Sequence, residues 1–345
     1  MIAAALATVA LTRGPVVEDV RPRSATVSFE TSRATRATIA TDGILTFTSE
    51  ASRKHSFRLD HLRPGRRYRY AVSAEGRVLA RGRFRSAPVG AAAFTFAVVG
   101  DFGTGGAPQR AVARLMRSWH PDFLLSTGDQ SYLLGLDSLL EQNIFRPYRA
   151  LFRESAFFPT LGNHDVYLND GRDELAAFHW PGGRRWYRFD WGRAAFTVLD
   201  SDVGVGSATP QGRFAAASFA RGTCFRFAAW HHPPWSQHSA GIADRLRRGI
   251  VPLARRDRLD VVFLGHVHTY ERSVPVDGVR YVTVGTGGAA LGSYGDSTVA
   301  AARQVRATYG ALRVDVRGRS ARFRFIASDG RVLDDFSQTC TVHRP

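Results

Sequence analysis

The sequence predicts two domains, an all-β sandwich followed by an α/β core. Residues from about 14 to 88 alternate polar and apolar side chains with a period of two, which is typical of half-buried antiparallel strands. From about residue 94 onward, continuous apolar runs alternate with helical stretches, which indicates a sheet covered on both faces. The length of 345 residues favours the same division, because it exceeds one ordinary domain and accommodates two.

The N-terminal region is divided by short turns into strand-like runs. Residues 1–13 open with the small apolar stretch MIAAALATVA, which is either the remnant of a secretory signal or a first strand. A sandwich is then predicted for residues 14–90, with strands at SATVSFET, RATIAT, KHSFRLDHL, YRYAVSA and VLARGRFRS. The segment Leu62-Arg63-Pro64-Gly65 followed by Tyr68 resembles the tyrosine corner of fibronectin type III domains.

The C-terminal region is predicted to form one α/β domain over residues 94–338. Its helical stretches fall at residues 108–119 and 240–256. Its apolar strands are FTFAVVG, DFLLSTG, AAFTVLD, CFRFAAW, LDVVFLG and RYVTVG. Because these strands are apolar without alternation, we expect them in the buried middle of a sheet.

The chain is strongly basic, with 47 basic and 30 acidic residues and a net charge of +17. Lys54 is the only lysine, and the arginines are scattered along the whole chain. The basic residues of nucleic-acid-binding surfaces are usually clustered, so we expect a solvated basic surface here and no nucleic-acid partner. A positive field of this kind attracts small anionic substrates.

Cysteine content and hydropathy exclude several protein classes. Two cysteines, Cys224 and Cys340, are too few for a disulfide-stapled scaffold or a four-cysteine zinc module, and the sequence leaves their pairing open. No run reaches the roughly 18 apolar residues that a membrane-spanning helix needs. We therefore expect a globular protein without a membrane span.

Residues that commonly bind metals follow five of the apolar runs. They are Asp101 after FTFAVVG, Asp129 after DFLLSTG, Asn163-His164-Asp165 after FFPTLG, His231-His232 after CFRFAAW, and His266 with His268 after LDVVFLG. In open α/β sheets the ligand crevice lies beyond the carboxyl ends of the strands, so these side chains should converge. Carboxylate, amide and imidazole ligands suit iron, manganese or zinc. The pattern predicts a metal site.

The same residues lie in five ordered motifs. GDFG at 100–103, GDQSY at 128–132, GNHD at 162–165, AAWH at 228–231 and GHVH at 265–268 resemble the motif blocks of the calcineurin-like metallophosphoesterases. Tyr132 and the N-terminal sandwich narrow the resemblance to the purple acid phosphatase branch, and HVHTYER and GTGGAAL are similar to segments of that family. The family fold implies a core built as a β-sandwich flanked by helices.

The resemblance implies a dinuclear metal centre. Asp101, Asp129, Tyr132 and His268 would hold the first metal, and Asn163, His231 and His266 the second, with Asp129 bridging both. A phenolate from Tyr132 is a hard anionic donor, which favours Fe(III) in the first position. A divalent ion (Fe, Zn or Mn) is expected in the second position.

The resemblance also implies the hydrolysis of phosphate monoesters by a metal-bound hydroxide, as in acid phosphatases. His164 and His238 are the candidate proton donors to the leaving alcohol, with Asp165 expected to orient His164. His232 is expected to pack beside the ligands without binding metal.

Two other functions remain open. One is a phosphodiesterase on the same scaffold, since the same metals can attack either ester. The other is a non-catalytic surface protein that binds anions or polyphosphate. In the phosphatase interpretation the partner is a small phosphorylated substrate, and the protein is expected to be secreted or periplasmic. The oligomeric state is left open.

Overall fold

A computed structural model describes residues 8–42, 44–221, 224–235, 240–292, 301–305 and 308–340. The N-terminal part contains seven strands, five of them at the runs that the period-two pattern predicts. They are β1 (Leu11–Glu18), β2 (Ala25–Thr35), β3 (Ala37–Thr41), β4 (Ile44–Thr48), β5 (Ser52–Leu59), β6 (Arg67–Ala74) and β7 (Arg77–Arg85).

The core alternates strands and helices and then ends in a run of strands. The strands are β8 (Phe94–Val99), β9 (Phe123–Ser126), β10 (Ala156–Phe158), β11 (Tyr187–Trp191), β12 (Ala194–Val198), β13 (Phe225–Ala229), β14 (Val261–Leu264), β15 (Tyr270–Ser273), β16 (Arg280–Val284), β17 (Ala301–Val305), β18 (Gly310–Arg317), β19 (Ser320–Ala327) and β20 (Val332–Thr339).

Eight α-helices accompany these strands in the part of the chain that the structure describes. They are α1 (Ala107–Ser118), α2 (Asp137–Leu140), α3 (Arg146–Phe152), α4 (Asn163–Val166), α5 (Arg172–Ala177), α6 (Pro210–Ala220), α7 (Ala240–Gly249) and α8 (Val251–Arg256). A π-helical turn at Glu141–Phe145 links α2 to α3. Within these same described segments, no helix combines the length and apolar composition that a bilayer span requires.

Two mixed sheets face each other in the core. The first has nine strands in the order β20-β19-β18-β8-β9-β10-β1-β2-β5, and the second has seven in the order β11-β12-β13-β14-β16-β15-β17. The Phe96 ring of β8 lies 5.3 Å from Phe196 of β12 and 6.1 Å from Phe227 of β13, measured between centroids. Aromatic side chains therefore fill the space between the sheets, and the predicted β-sandwich flanked by helices is confirmed.

The N-terminal strands divide between two sheets. β1, β2 and β5 extend the nine-stranded sheet, because β1 pairs in parallel with β10, while β4-β3-β6-β7 form a sheet of their own. The two predicted domains thus share one sheet, and their boundaries at residues 90 and 94 stay predictions. The Tyr68 hydroxyl accepts the Arg63 N–H at 2.7 Å, which is the contact of a tyrosine corner. The fibronectin type III assignment likewise stays a prediction.

A disulfide connects the two core sheets. Cys224 directly precedes β13 of the seven-stranded sheet, and Cys340 directly follows β20 at the edge of the nine-stranded sheet. The pairing that the sequence leaves open is thus present in the structure.

Candidate metal centre

Five loops at the carboxyl ends of parallel strands carry the predicted ligands. β8, β9 and β10 run parallel in one sheet, and β13 and β14 run parallel in the other. The loops after these strands hold the residues Asp101, Asp129, Tyr132, Asn163, His231, His266 and His268. The structure brings all seven together in two adjoining clusters.

The first cluster is rich in anionic donors. The ligand atoms of Asp101, Asp129 and His268 all lie within 4.8 Å of one another. The Tyr132 hydroxyl lies 3.0 Å from Asp129 Oδ2 and 3.0 Å from His268 Nε2. Two carboxylates, a phenol and an imidazole therefore converge on one point.

The second cluster is built from one amide and two imidazoles. Asn163 Oδ1 lies 3.0 Å from His231 Nε2 and 2.9 Å from His266 Nδ1. Asp129 connects this cluster to the first, because its Oδ1 lies 3.4 Å from His231 Nε2 while its Oδ2 faces Tyr132. Asp129 thus lies between the two clusters, where the resemblance implies a bridging ligand.

The backbone at three of these residues adopts an uncommon conformation. Asp101, Asp129 and His266 have φ angles of 55°, 53° and 70°, in the left-handed region that non-glycine residues seldom enter. The strain is offset locally, since the His266 N–H donates to Asp101 at 3.0 Å and the His164 N–H donates to Asp129 at 3.0 Å. Such conformations concentrate at functional sites, where they direct side chains inward.

Backbone carbonyls orient two of the histidines. His231 Nδ1 lies 2.8 Å from the Thr127 carbonyl, and His268 Nδ1 lies 2.8 Å from the Ala290 carbonyl. A carbonyl only accepts, so each Nδ1 must carry the proton. The lone pair of each neutral imidazole is then on Nε2, which faces its cluster, as in most protein metal sites.

The charges of the site also require compensation by cations. Burial, followed by the neighbouring charges of Asp129 and Asp101, raises the pKa of Tyr132 well above its ordinary value. Burial alone would lower the pKa of His231, but Asp129 reverses the shift and raises it to about 10. Without metal, protons would have to take the positions between these acceptor atoms. The donor set therefore fits a pair of cations.

His164 lies beside the first cluster. Its ring centroid is 4.4 Å from that of Tyr132, and its Nδ1 lies 2.8 Å from the Leu133 carbonyl. This contact corrects the expectation for Asp165, because that carboxylate accepts the backbone N–H groups of Gln130, Ser131 and Gly162 instead. Asp165 ties two ligand loops together, and the Leu133 carbonyl orients His164.

Two further histidines were singled out from the sequence. His238 lies outside the described residues. His232 is buried with its ring centroid 4.3 Å from that of His266, and its Nδ1 lies 2.8 Å from Ser201 Oγ. Burial, together with the nearby imidazoles of His231 and His266, holds the pKa of His232 well below its ordinary value. Its packing role stays a prediction.

Three contributors to the site were not identified from the sequence. The carbonyls of Thr127 and Ala290 are backbone groups and leave no trace in residue type, although Ala290 falls within the GTGGAAL segment. Asp202 is largely buried near His232, with 3.9 Å between its Oδ2 and the ring Nδ1, and burial raises its pKa to about 7. It follows β12 at the same edge of the sheet, which is the signal that would have pointed to it.

Comparisons with known proteins find similar sequences and a similar solved structure. A sequence profile described as calcineurin-like phosphoesterase matches residues 94–270. Purple acid phosphatase 21 of Arabidopsis thaliana is 26% identical over 269 residues, which cover 70% of this chain and 60% of that protein. A nucleotide pyrophosphatase/phosphodiesterase of Hordeum vulgare is 27% identical over 276 residues, covering 65% of this chain and 72% of that protein.

The fold is shared with a solved plant structure. Purple acid phosphatase PPD1 from yellow lupin superposes with a TM-score of 0.81 at 16% identity, covering 95% of this chain and 74% of that one. The N-terminal strands are included in a match of this extent. The chain spans less than two thirds of the length of the Arabidopsis relative.

Proposed function

Because the chain belongs to the calcineurin-like phosphoesterase family, we propose that it hydrolyses phosphate monoesters at a dinuclear metal centre. The observation that supports this proposal most directly is the convergence of donors from five loops into two clusters that share Asp129. A binding protein has no need of two such clusters joined by one carboxylate.

Each cluster suits a different cation. Asp101, Asp129, Tyr132 and His268 would hold the first ion, and its anionic oxygen donors favour Fe(III). Asn163, His231 and His266 would hold a divalent ion, Fe, Zn or Mn, with Asp129 between the two. When bound, such a pair lowers the pKa of water and neutralises phosphoryl oxygens.

The balance of charge favours monoesters. A trivalent and a divalent ion together carry more positive charge than Asp101, Asp129 and an ionised Tyr132 remove. The net positive charge that remains matches a phosphate dianion better than a diester monoanion. The basic surface of the chain would draw such dianions toward the site.

His164 is the proposed proton donor to the leaving alcohol. Its Nδ1–H donates to the Leu133 carbonyl, so Nε2 is the atom that can deliver a proton. Asp165 acts as a positioning residue, because it holds the loops of Asp129 and Asn163 through three backbone bonds. His238 is retained from the sequence as a second candidate donor.

A phosphodiesterase is the second candidate function. The similarity to the nucleotide pyrophosphatase/phosphodiesterase of Hordeum vulgare favours it, since that match is as strong in identity as the one to the Arabidopsis phosphatase. The two functions would use the same ligands and differ in the walls of the pocket.

Initial rates on p-nitrophenyl phosphate and bis-p-nitrophenyl phosphate, side by side at acidic and neutral pH, test the proposal. We expect the metal-loaded protein to prefer the monoester. A preference for the diester would transfer the assignment to the second candidate. If protein with two metals bound per chain hydrolyses neither ester, both enzymatic functions are contradicted and the anion-binding function is the one that is left.

The metal assignment has a separate test. Metal analysis should find two ions per chain, and a tyrosinate–iron pair should give the protein a visible absorption band. Tyr132→Phe should abolish the band, whereas Tyr148→Phe, which alters a buried tyrosine outside the two clusters, should keep it. A colourless wild-type protein that contains iron would contradict the Tyr132 assignment.

We also propose that the protein works in an oxidising compartment, outside the cell or in the periplasm. The Cys224–Cys340 disulfide supports this location, because such bonds seldom persist in reducing cytosol. Protein isolated from its native source should contain no titratable thiol before reduction and two after it. Two free thiols before reduction would contradict the proposed location.

A further inference from the structure

Three exposed apolar side chains lie around His164. Leu133, Tyr167 and Leu168 are 68%, 73% and 53% exposed. Eight large hydrophobic side chains are exposed among the described residues. Three of these eight belong to two short segments next to one histidine. Exposed apolar groups gathered at a site commonly mark a ligand contact. We call these three residues the apolar rim.

Helix geometry places two of them along the face that carries the site residues. α4 contains Asn163 and His164, and helical dihedral angles continue through Tyr167, with φ −54° and ψ −46°. Residues four apart on a helix have Cβ atoms about 5–6 Å apart. Tyr167 therefore stands one turn beyond Asn163, and Leu168 one turn beyond His164.

Leu133 reaches the same place from a different loop. Its carbonyl oxygen lies 2.8 Å from His164 Nδ1. The loop then lies against α4, because a Cβ built on Gly135 would come within 2.6 Å of the Asp165 carbonyl oxygen. The Leu133 backbone thus lies next to the imidazole, and its side chain is exposed beside it.

We infer that the apolar rim binds the alcohol part of the substrate and selects phosphate esters whose alcohol carries a hydrocarbon or aryl group. This inference rests on the proposed function, in which His164 protonates the leaving alcohol. Whatever lies next to His164 then contacts that alcohol. A rim of leucine and tyrosine side chains gains affinity by removing apolar surface from water, which a sugar or polyphosphate group does not offer.

Three aryl phosphates of similar leaving-group acidity test the inference. They are phenyl phosphate, 4-propylphenyl phosphate and its isostere 4-(2-hydroxyethyl)phenyl phosphate. Full burial of a methylene gives about a fourfold gain, so a rim that covers roughly half of the propyl chain should raise kcat/KM about eightfold over phenyl phosphate. The hydroxyethyl compound should lose most of that gain, and the difference should appear in KM.

Variants of the rim then assign the preference to named side chains. Tyr167→Ser and Leu168→Ser, singly and combined, should reduce the propyl-to-hydroxyethyl ratio toward one, and Leu133→Ser should act in the same direction. Val332→Ser is the matched control, because Val332 is 51% exposed and lies on β20, away from His164. It should leave the ratio and the rates unchanged.

Three outcomes of these experiments would contradict the inference. Equal kcat/KM for the isosteres, or a preference for the hydroxyethyl compound, would show that the rim does not select apolar groups while phosphatase activity itself stands. If the folded combined variant still prefers the propyl ester to the hydroxyethyl ester, residues outside the apolar rim cause that preference. If the metal-loaded protein hydrolyses none of the three esters, the proposed function fails first and the inference fails with it.

Discussion

Two buried carboxylates, Asp129 in the candidate metal centre and Glu18 where the N-terminal strands join the core, have pKa values that depart from the ordinary value in opposite directions. Burial raises the pKa of both, but at Asp129 the charge of His231 and the His164 N–H reverse the effect and hold the pKa well below its ordinary value. At Glu18 the Ser28 hydroxyl and the His179 N–H compensate only in part, and the pKa rises to about 7.

The difference lies in the partners that each carboxylate has. Asp129 is surrounded by groups that favour its ionised form, so it remains an anion that a cation can use. Glu18 accepts the His179 N–H at 2.7 Å but has no cation among the groups that shift its pKa. At the same degree of burial, Asp129 therefore stays ionised and able to bind a cation, whereas the ionisation of Glu18 destabilises the fold as the pH rises.

The largest effect expected from this comparison is that of Asp129→Asn. The substitution keeps the shape and removes the charge shared by both clusters, so turnover should fall by about a thousandfold or more. Metal analysis and initial rates on p-nitrophenyl phosphate measure the change. Asp190→Asn, which alters an exposed carboxylate paired with Arg188, should keep both metal and activity. Unchanged turnover in the Asp129 variant would rule out its bridging role.

His164→Gln should have the next largest effect. Removal of a general acid costs about a hundredfold when the leaving alcohol is weakly acidic, and much less with p-nitrophenol. Rates on phenyl phosphate and p-nitrophenyl phosphate compare the two cases. The exposed His179 provides the control, as His179→Gln should change neither rate. An equal loss on both esters would mean that His164 positions substrate and donates no proton.

Removing the metals should affect stability as well as activity. Chelation leaves Asp101, Asp129 and Tyr132 buried together without cations, whereas metal at a hundredfold excess over Kd stabilises by about 2.7 kcal/mol. The Tm should therefore fall by roughly 5 °C or more on chelation and recover when metal is restored. A Tm that is insensitive to metal would mean that His231 alone compensates the acids.

The smallest effect on turnover is expected for Glu18→Gln, which should change stability alone. The folded-state pKa of about 7 lies above the unfolded value of 4.5, so the stability that Glu18 provides at low pH is lost as pH rises through this window, on the order of 3 kcal/mol. The glutamine variant should therefore melt higher than wild type at pH 8 and gain nothing at pH 4. Thermal melts at the two pH values measure the difference.

The control for this prediction is Glu50→Gln. The Glu50 side chain is 91% exposed and pairs with Arg36 at the surface, so its substitution should shift the Tm little at either pH. An equal shift for Glu18→Gln at pH 4 and pH 8 would contradict the assigned pKa and with it the contrast to Asp129. Catalytic rates should stay unchanged in both variants.

The sequence was informative where burial determines residue type. β9, β13 and β14 are buried along their whole length, and each was predicted from a continuous apolar run. Six of the seven donor residues were likewise singled out by their positions after such runs, whereas Tyr132 and the selection of the seven came from the family resemblance. By contrast, α6 was not assigned from PQGRFAAASFA, because its small residues form no clear apolar stripe.

Pairing between distant segments could not be predicted. β1 lies beside β10 and thereby joins the N-terminal strands to the core sheet, yet nothing local in either strand specifies this neighbour. The partners of Asp165 were missed for a similar reason, since backbone N–H groups of two loops leave no mark in residue type. Residue types predicted the ligands, and the way they are held became visible only in three dimensions.

The position of β18 in the nine-stranded sheet has a consequence for biosynthesis. β8, which ends at the Asp101 loop, lies between β9 and β18, so one of its two neighbours is a strand more distal in the chain than every ligand residue. Synthesis proceeds from the N-terminus, and β8 keeps an unpaired edge until residues 310–317 have left the ribosome. β8 therefore becomes paired on both sides only after every proposed ligand residue has been made, and until then its free edge is open to pairing with another strand.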